Sequence, residues 1–145
     1  MNFDDLFFTC SVIECIGRVR KLLRSEVADS LGRDNLLRLY NYADVFHCEP
    51  IEKVANDFIT DCEVPLGTFD NISKCEFDIP TCWDIGKVYA RLIEDVYSED
   101  CDIIDTLIAV FHSFMSESIS NFNSDLYYQP RECLRACYLA GDIIE

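Results

Sequence analysis

The sequence predicts an all-α protein, and three observations carry that prediction. Its 145 residues include only five glycines and four prolines, too few turn-formers for a sandwich or barrel built of many short strands. Half of the residues are hydrophobic and 12% are aromatic, enough apolar surface to offset the entropy lost in ordering the chain. The apolar residues recur at steps of three and four, the period of a helix with one buried face. A chain of this length makes one domain, residues 1–145.

The first helix is predicted over about residues 3–24, where Phe3, Leu6, Phe7, Cys10, Ile13, Ile16, Val19, Leu22 and Leu23 form one stripe. Arg18, Arg20, Lys21 and Arg24 close its last turns, where cations favour the negative end of the helix dipole, and they read as a solvated terminal turn. Residues 25–32 read as a polar break. Asp34 then caps a second helix through Leu36, Leu39, Tyr42, Ala43 and Phe46, which ends before Pro50. Pro50 suits the first turn of a third helix, with Ile51, Val54, Ala55, Phe58 and Ile59 on its buried side up to Asp61. Pro65 and Gly67 interrupt the pattern, and residues 68–78 hold at most a short helix before Pro80.

Two stronger helices follow. Residues 83–97 carry Val88, Leu92, Ile93 and Val96, and residues 103–122 carry Ile104, Leu107, Ile108, Phe111, Met115 and Ile119. The connection at 98–102 is so short that the two should form an antiparallel hairpin, and their apolar density suits the centre of the domain. A polar loop at 121–125 precedes a last helix over about 130–144.

Twelve basic residues against 27 acidic ones leave a net charge of −15, a field that repels a phosphate backbone, so neither nucleic acid nor an anionic membrane surface is an expected partner. Residues 6–16 are interrupted by Glu14, and residues 103–115 are short and carry Asp105 and His112, so no transmembrane anchor is expected. The nine cysteines are odd in number and no secretory leader precedes them, which predicts reduced, mostly buried thiols in the cytoplasm.

No Gly-rich phosphate loop, nucleophile elbow or His-Glu-x-x-His helix is present, so no enzyme, catalytic residue or cofactor is expected. Residues 121–125 with Glu132 have calcium-loop spacing, but Leu126 stands where that loop needs glycine. The cysteines, with His47 and His112, lack Cys-x-x-Cys spacing, and no metal site is expected.

Two segments carry a recognisable pattern. Residues 39–46, Leu-Tyr-Asn-Tyr-Ala-Asp-Val-Phe, set Leu39, Ala43, Asp44 and Phe46 in the order large apolar, small, acidic, aromatic, and this resembles the BH3 motif. Residues 84–93 open the first of the two strong helices and resemble the BH1 signature Asn-Trp-Gly-Arg of Bcl-2-like apoptosis regulators, with Gly86 and Lys87 aligned to its Gly-Arg. Glycine early in a buried helix lets another helix come close, and a cation beside it can pair with an aspartate of that helix. With these motifs in this order ahead of an apolar hairpin, the chain resembles a Bcl-2-like protein, most closely in the trimmed, divergent style of the Bcl-2 homologues of large DNA viruses. It departs from the pattern where Trp83 stands one place early, Asp84 and Ile85 replace Asn-Trp, Lys87 replaces arginine, and no BH2 Gly-Gly-Trp follows.

The resemblance implies a Bcl-2-like helical bundle with a central antiparallel hairpin. It implies an anti-apoptotic binding protein that sequesters the BH3 helices of Bim-, Bak- or Bax-like pro-apoptotic proteins in a surface groove. Phe46, Val54, Phe58, Ile72, Gly86 and Ala90 would line that groove, and Lys87 would meet the ligand's aspartate. An unoccupied groove exposes apolar surface, so a homodimer is a further expectation. The implied location is the cytoplasm of a host cell, peripheral at mitochondria. The same resemblance leaves open a Bcl-2-fold scaffold that inhibits innate immune signalling through another surface, with its groove closed.

Overall fold

The structure is a computed structural model that describes residues 1–144; Glu145, the last residue of the predicted domain, lies outside the described residues. The chain order is α1 (Phe3–Arg20), α2 (Arg24–Asn41), α3 (Ala43–Phe46), α4 (Ile51–Asp61), α5 (Cys82–Val96), α6 (Ile103–Phe111), α7 (Phe114–Ser120), a 3-10 turn (Leu126–Tyr128) and α8 (Arg131–Ala140). Among the described residues there is no strand, as the composition predicts.

Helix α1 starts where Asn2 Oδ1 accepts the Asp5 N–H at 3.1 Å, with Asp4 and Asp5 at the positive end of the dipole. Every residue from Phe8 to Gly17 is buried, so α1 is interior on all sides. Its small polar residues satisfy themselves within the helix: Thr9 Oγ1 donates to Asp5 O and Ser11 Oγ donates to Phe7 O, each at 2.8 Å. Helices α2, α4 and α5 all pack on α1, α5 most extensively. Helix α6 bridges α2 and α5, and α8 docks on α5. The α5–α6 pair expected at the centre does pack together, but α1 holds the innermost position.

The end of α1 differs from the expected solvated turn. The helix stops at Arg20, with Lys21 in the left-handed region at φ 54°. The carbonyls of Arg20 and Lys21 then accept the N–H groups of Gly67 and Phe69, at 2.7 and 2.8 Å, so the segment after α4 closes over the helix end. Arg24 is fully buried and paired with Glu14, and Arg18 reaches the same carboxylate, so two of the four basic residues belong to the interior.

The break expected at residues 25–32 is helical. Glu26 accepts the Leu23 N–H at 3.0 Å at the start of α2, and Val27, Ala28 and Leu31 face inward on one side. The interruption is confined to Gly32, whose φ of 77° kinks α2 before Leu36 and Leu39. Tyr42 separates α2 from α3, so the expected second helix is two pieces. Residues 68–78 form turns and no helix. The long helix expected over 103–122 is divided at His112 and Ser113, where Ser113 Oγ donates to Val110 O at 2.6 Å and competes with the backbone ladder. The last helix ends at Ala140, where Gly141 supplies a left-handed cap at φ 76°.

All nine cysteines are free thiols. Only Cys10, Cys15 and Cys137 are buried, while Cys48 and Cys101 are exposed, so the thiols are less uniformly interior than expected. Among the described residues, no helix is long and apolar enough to cross a membrane.

Candidate helix-binding surface

Helix α5 begins at a reciprocal cap: Thr81 Oγ1 accepts the Asp84 N–H at 3.0 Å, and the Asp84 carboxylate accepts the Thr81 N–H at 2.9 Å. From this start, Ile85, Gly86, Tyr89, Ala90, Leu92 and Ile93 turn into the core. Lys87 and Arg91, one turn apart, stay on the exposed face. Asp84, the nearest carboxylate in sequence, is engaged at the cap. Among the described residues neither Lys87 nor Arg91 forms an ion pair, although acidic residues outnumber basic ones by more than two to one. The Lys87 ammonium lies 5.5 Å above the centre of the Phe7 ring, a contact of about 0.5–1 kcal/mol at an exposed site.

Both cations border a concavity of about 430 Å³ whose apolar lining comes from Ile79, Pro80, Val88, Tyr127 and Tyr128, with Asp78 and Asp84 also on its wall. Ile79 is 45% exposed and Tyr128 is 67% exposed, so the surface is open to a partner. It continues along α5 to Leu92 and along α8 to Leu134. One wall is held rigidly: Arg131 grips Asp95 with Nε at 2.9 Å and Nη2 at 2.7 Å, and reaches Glu94 at 2.9 Å, pinning the start of α8 to the end of α5.

Four of the residues expected to line a groove are buried. Val54 and Phe58 are each 1% exposed and Ala90 is 0% exposed, so these three are interior residues and not walls of an open cleft. Gly86 is also buried, facing α1: a Cβ added there would lie 2.7 Å from Ser11 Cα. Its lack of a side chain permits the closest approach of α5 to α1 and leaves no space for an external ligand. The resemblance implies the groove placement, and periodicity does not test it, because it identifies a covered face but not what covers it.

Phe46 and Ile72 are half-buried. Phe46 stands edge-on to Phe58, ring centres 5.5 Å apart, and the Arg38 guanidinium lies over both rings. Helices α4 and α5 meet through α1 with little direct contact, so the structure joins Phe46 to Phe58 but does not bring either to Lys87.

In the BH3-like segment, Leu39 and Ala43 point into the core, Tyr42 interrupts the helix, and Asp44 is exposed. Asp44 forms no ion pair among the described residues; it lies near Asp5, whose carboxyl is pushed up by burial and by the charges of Asp44 and Asp4. Trp83, displaced by one place in the BH1-like segment, packs against Phe7, Phe8 and His47 at 5.4, 6.1 and 5.7 Å between ring centres. It locks α5 to α1 and to the end of α3. Among the described residues no three His, Cys, Asp or Glu side chains converge as metal ligands.

Sequence reasoning missed Arg91, Ile79, Tyr127 and Tyr128 as lining residues. Arg91 was legible as the i+4 neighbour of Lys87 on an exposed face. The other three lie outside the α-helices, where periodicity carries no signal. No family model, curated protein or solved structure matches the chain.

Proposed function

We propose that the chain is a Bcl-2-like binding protein that holds an amphipathic helix of the BH3 class, sequestering Bim-, Bak- or Bax-like partners and opposing cell death. One observation carries the reading: Lys87 and Arg91, which form no ion pair among the described residues of a chain of net charge −15, flank a concavity beside the start of α5 whose lining joins Ile79, Pro80, Val88, Tyr127 and Tyr128 to Asp78 and the cap residue Asp84. A helix with an apolar stripe and a central aspartate complements both features, its stripe meeting Ile79, Val88 and Tyr128 and its carboxylate meeting the cations. The BH3-like and BH1-like segments, in their order along an all-helical chain, support the same assignment and the Bcl-2-like bundle that goes with it.

Titrating synthetic BH3 peptides into the protein by calorimetry tests this. Submicromolar binding is expected, weakened at least about tenfold by Lys87→Glu and by Arg91→Glu, the factor that follows from about 1.4 kcal/mol of lost pairing. Binding unaffected by either reversal removes the concavity as the site.

A second reading is favoured by the burial of Val54, Phe58 and Ala90, which leaves the groove predicted from sequence closed. On that reading the bundle is a scaffold that dampens innate immune signalling through another surface. A folded protein that binds no BH3 peptide favours it. Concentration-dependent sedimentation with no peptide binding instead identifies a second copy of the chain as the occupant.

A further inference from the structure

We propose that the concavity between the 68–78 segment and the loop after α7 is a second binding site, which takes the quaternary ammonium of a trimethylated lysine on a partner protein. The concavity measures about 760 Å³, and Phe77, Asp78, Phe122, Asp125, Tyr127 and Tyr128 make most of its lining. Asn123, also on its wall, ties the two segments together: its Oδ1 accepts the Glu76 N–H at 2.8 Å and its Nδ2 donates to Lys74 O at 2.9 Å. The walls are thus fixed before any ligand arrives, which lowers the cost of binding.

Aromatic rings and carboxylates share this lining. Tyr127 stands nearly perpendicular to both of its neighbours, at 74° to Phe122 with ring centres 5.8 Å apart and at 86° to Tyr128 with centres 5.0 Å apart. Rings set at such angles build a corner, and their π faces attract cations. Phe122 is 3% exposed and already carries the Arg18 guanidinium 5.3 Å from its ring centre, so it serves as the floor and leaves Phe77 and the two tyrosines to meet a ligand. The charge of Arg18 is matched by Glu14 at 2.7 Å. Among the described residues Asp78 and Asp125 form no ion pair, and Asp125 accepts only the Gln129 Nε2 donor at 2.9 Å from a side chain. Among the described residues no lysine or arginine lines this concavity, while Lys87 and Arg91 line the adjoining one.

The lining selects the ligand by charge and by hydration. An anion is repelled by both carboxylates and by the net charge of −15, and a neutral ligand leaves the carboxylates uncompensated. A primary ammonium is strongly hydrated and gives up its water reluctantly. A trimethylated one keeps the charge, has no N–H to satisfy, and packs its methyl groups against ring faces. Phe77 and Tyr128 are 65% and 67% exposed, so the mouth admits a side chain projecting from a larger partner. A choline headgroup would bring its phosphate against Asp78 and Asp125, which favours lysine over lipid.

The test follows the amide resonances of the intact protein by NMR during titration with a short peptide carrying trimethyllysine. The same peptide with unmodified lysine, and one with a neutral tert-butyl group in place of the ammonium, are the comparisons. The trimethyllysine peptide is expected to bind at least about fivefold more tightly than either, the worth of one cation–π contact. It should move the signals of Phe77, Tyr127 and Tyr128, and its N-methyl protons should shift upfield under the ring currents. Phe77→Ala and Asp125→Asn, both at exposed positions that line this concavity and not the one beside Lys87, should each weaken binding about threefold. Lys87→Glu should not weaken it, which separates this site from the helix-binding surface. No binding at millimolar peptide, equal binding of the lysine or tert-butyl peptide, or N-methyl protons left unshifted each overturns the proposal. Capture of the protein by phosphatidylcholine vesicles with the peptide silent overturns it too, and assigns the site to lipid.

Discussion

Arg24 grips Glu14 across the turn between the first two helices: Nε lies 2.8 Å from Oε1 and Nη2 lies 2.9 Å from Oε2, with both side chains fully withdrawn from solvent. Arg24 Nη1 donates to Leu22 O at 2.6 Å and Nη2 to Asn71 Oδ1 at 3.3 Å, while Asn71 Nδ2 donates to Ser120 O at 2.9 Å. Arg18 Nε adds a second cation to the carboxylate at 2.7 Å. One polar network thus ties α1, the start of α2, the 68–78 segment and the end of α7 together in the interior.

Breaking one side of this pair is expected to destabilise the protein strongly. Arg24→Met should cost about 3–5 kcal/mol, because a carboxylate loses its main buried partner, and Arg24→Met with Glu14→Leu should recover much of that loss. Urea unfolding followed by circular dichroism measures both. The pair also sets an acid limit. Burial raises the Glu14 pKa, but Arg24 and Arg18 outweigh it and hold the carboxyl below its ordinary value of 4.5. A lowered folded-state pKa contributes stability above the unfolded value and loses it as pH falls through the folded one. The wild type is therefore expected to lose stability below about pH 4.5, with a shallower decline in Glu14→Gln.

His112 gives a second, opposite pH dependence. Its Nε2 lies 2.7 Å from Asp29 Oδ1 on α2 and its Nδ1 lies 2.8 Å from Ile108 O, an arrangement that suits the doubly protonated ring. The Ile108 carbonyl chiefly, opposed by partial burial and aided by Asp29, raises its pKa. The stabilisation is complete below the unfolded value near 6.5 and is lost as pH rises through the higher folded value. Both side chains are partly exposed, so the contribution is at most about 1 kcal/mol. NMR titration of the imidazole should show the raised pKa in the wild type and a lower one in Asp29→Asn. An unchanged value in that variant refutes the pairing.

Gly86→Ala separates a packing role from a ligand-contact role. The added methyl would press on Ser11, so a loss of about 1–3 kcal/mol from overpacking is expected. Replacing Ser11 by glycine as well should restore only part of it, because the Ser11 backbone is itself within 2.7 Å of the new atom. Thermal unfolding in the absence of any peptide is the measurement. A variant as stable as wild type that has lost peptide binding would return Gly86 to the groove.

Much of the helical inventory was legible in the linear pattern. Pro50 and Asp61 bracket α4 as expected, and the start of α5 differs by one residue from its prediction. The failures share a cause. Arg24 counts as polar in any periodicity, so the stripe of Val27, Ala28 and Leu31 behind it looked like a break, although Glu14 had already supplied the buried partner that makes the helix interior. Tyr42, His112 and Ser113 divide expected helices through local hydrogen bonding and backbone torsions, which leave little mark on hydrophobicity.

What the residues determine by themselves is composition and period: an acidic, turn-poor chain with apolar steps of three and four must form helices and bury one face of each. Which faces meet was decided only in three dimensions. Val54, Phe58 and Ala90 became core, Lys87 and Arg91 were left without an ion pair among the described residues, and Arg24 met Glu14 in the interior. A periodic stripe states that a side chain leaves water. The identity of its neighbour is a long-range pairing, and it depends on the packing of all the helices at once.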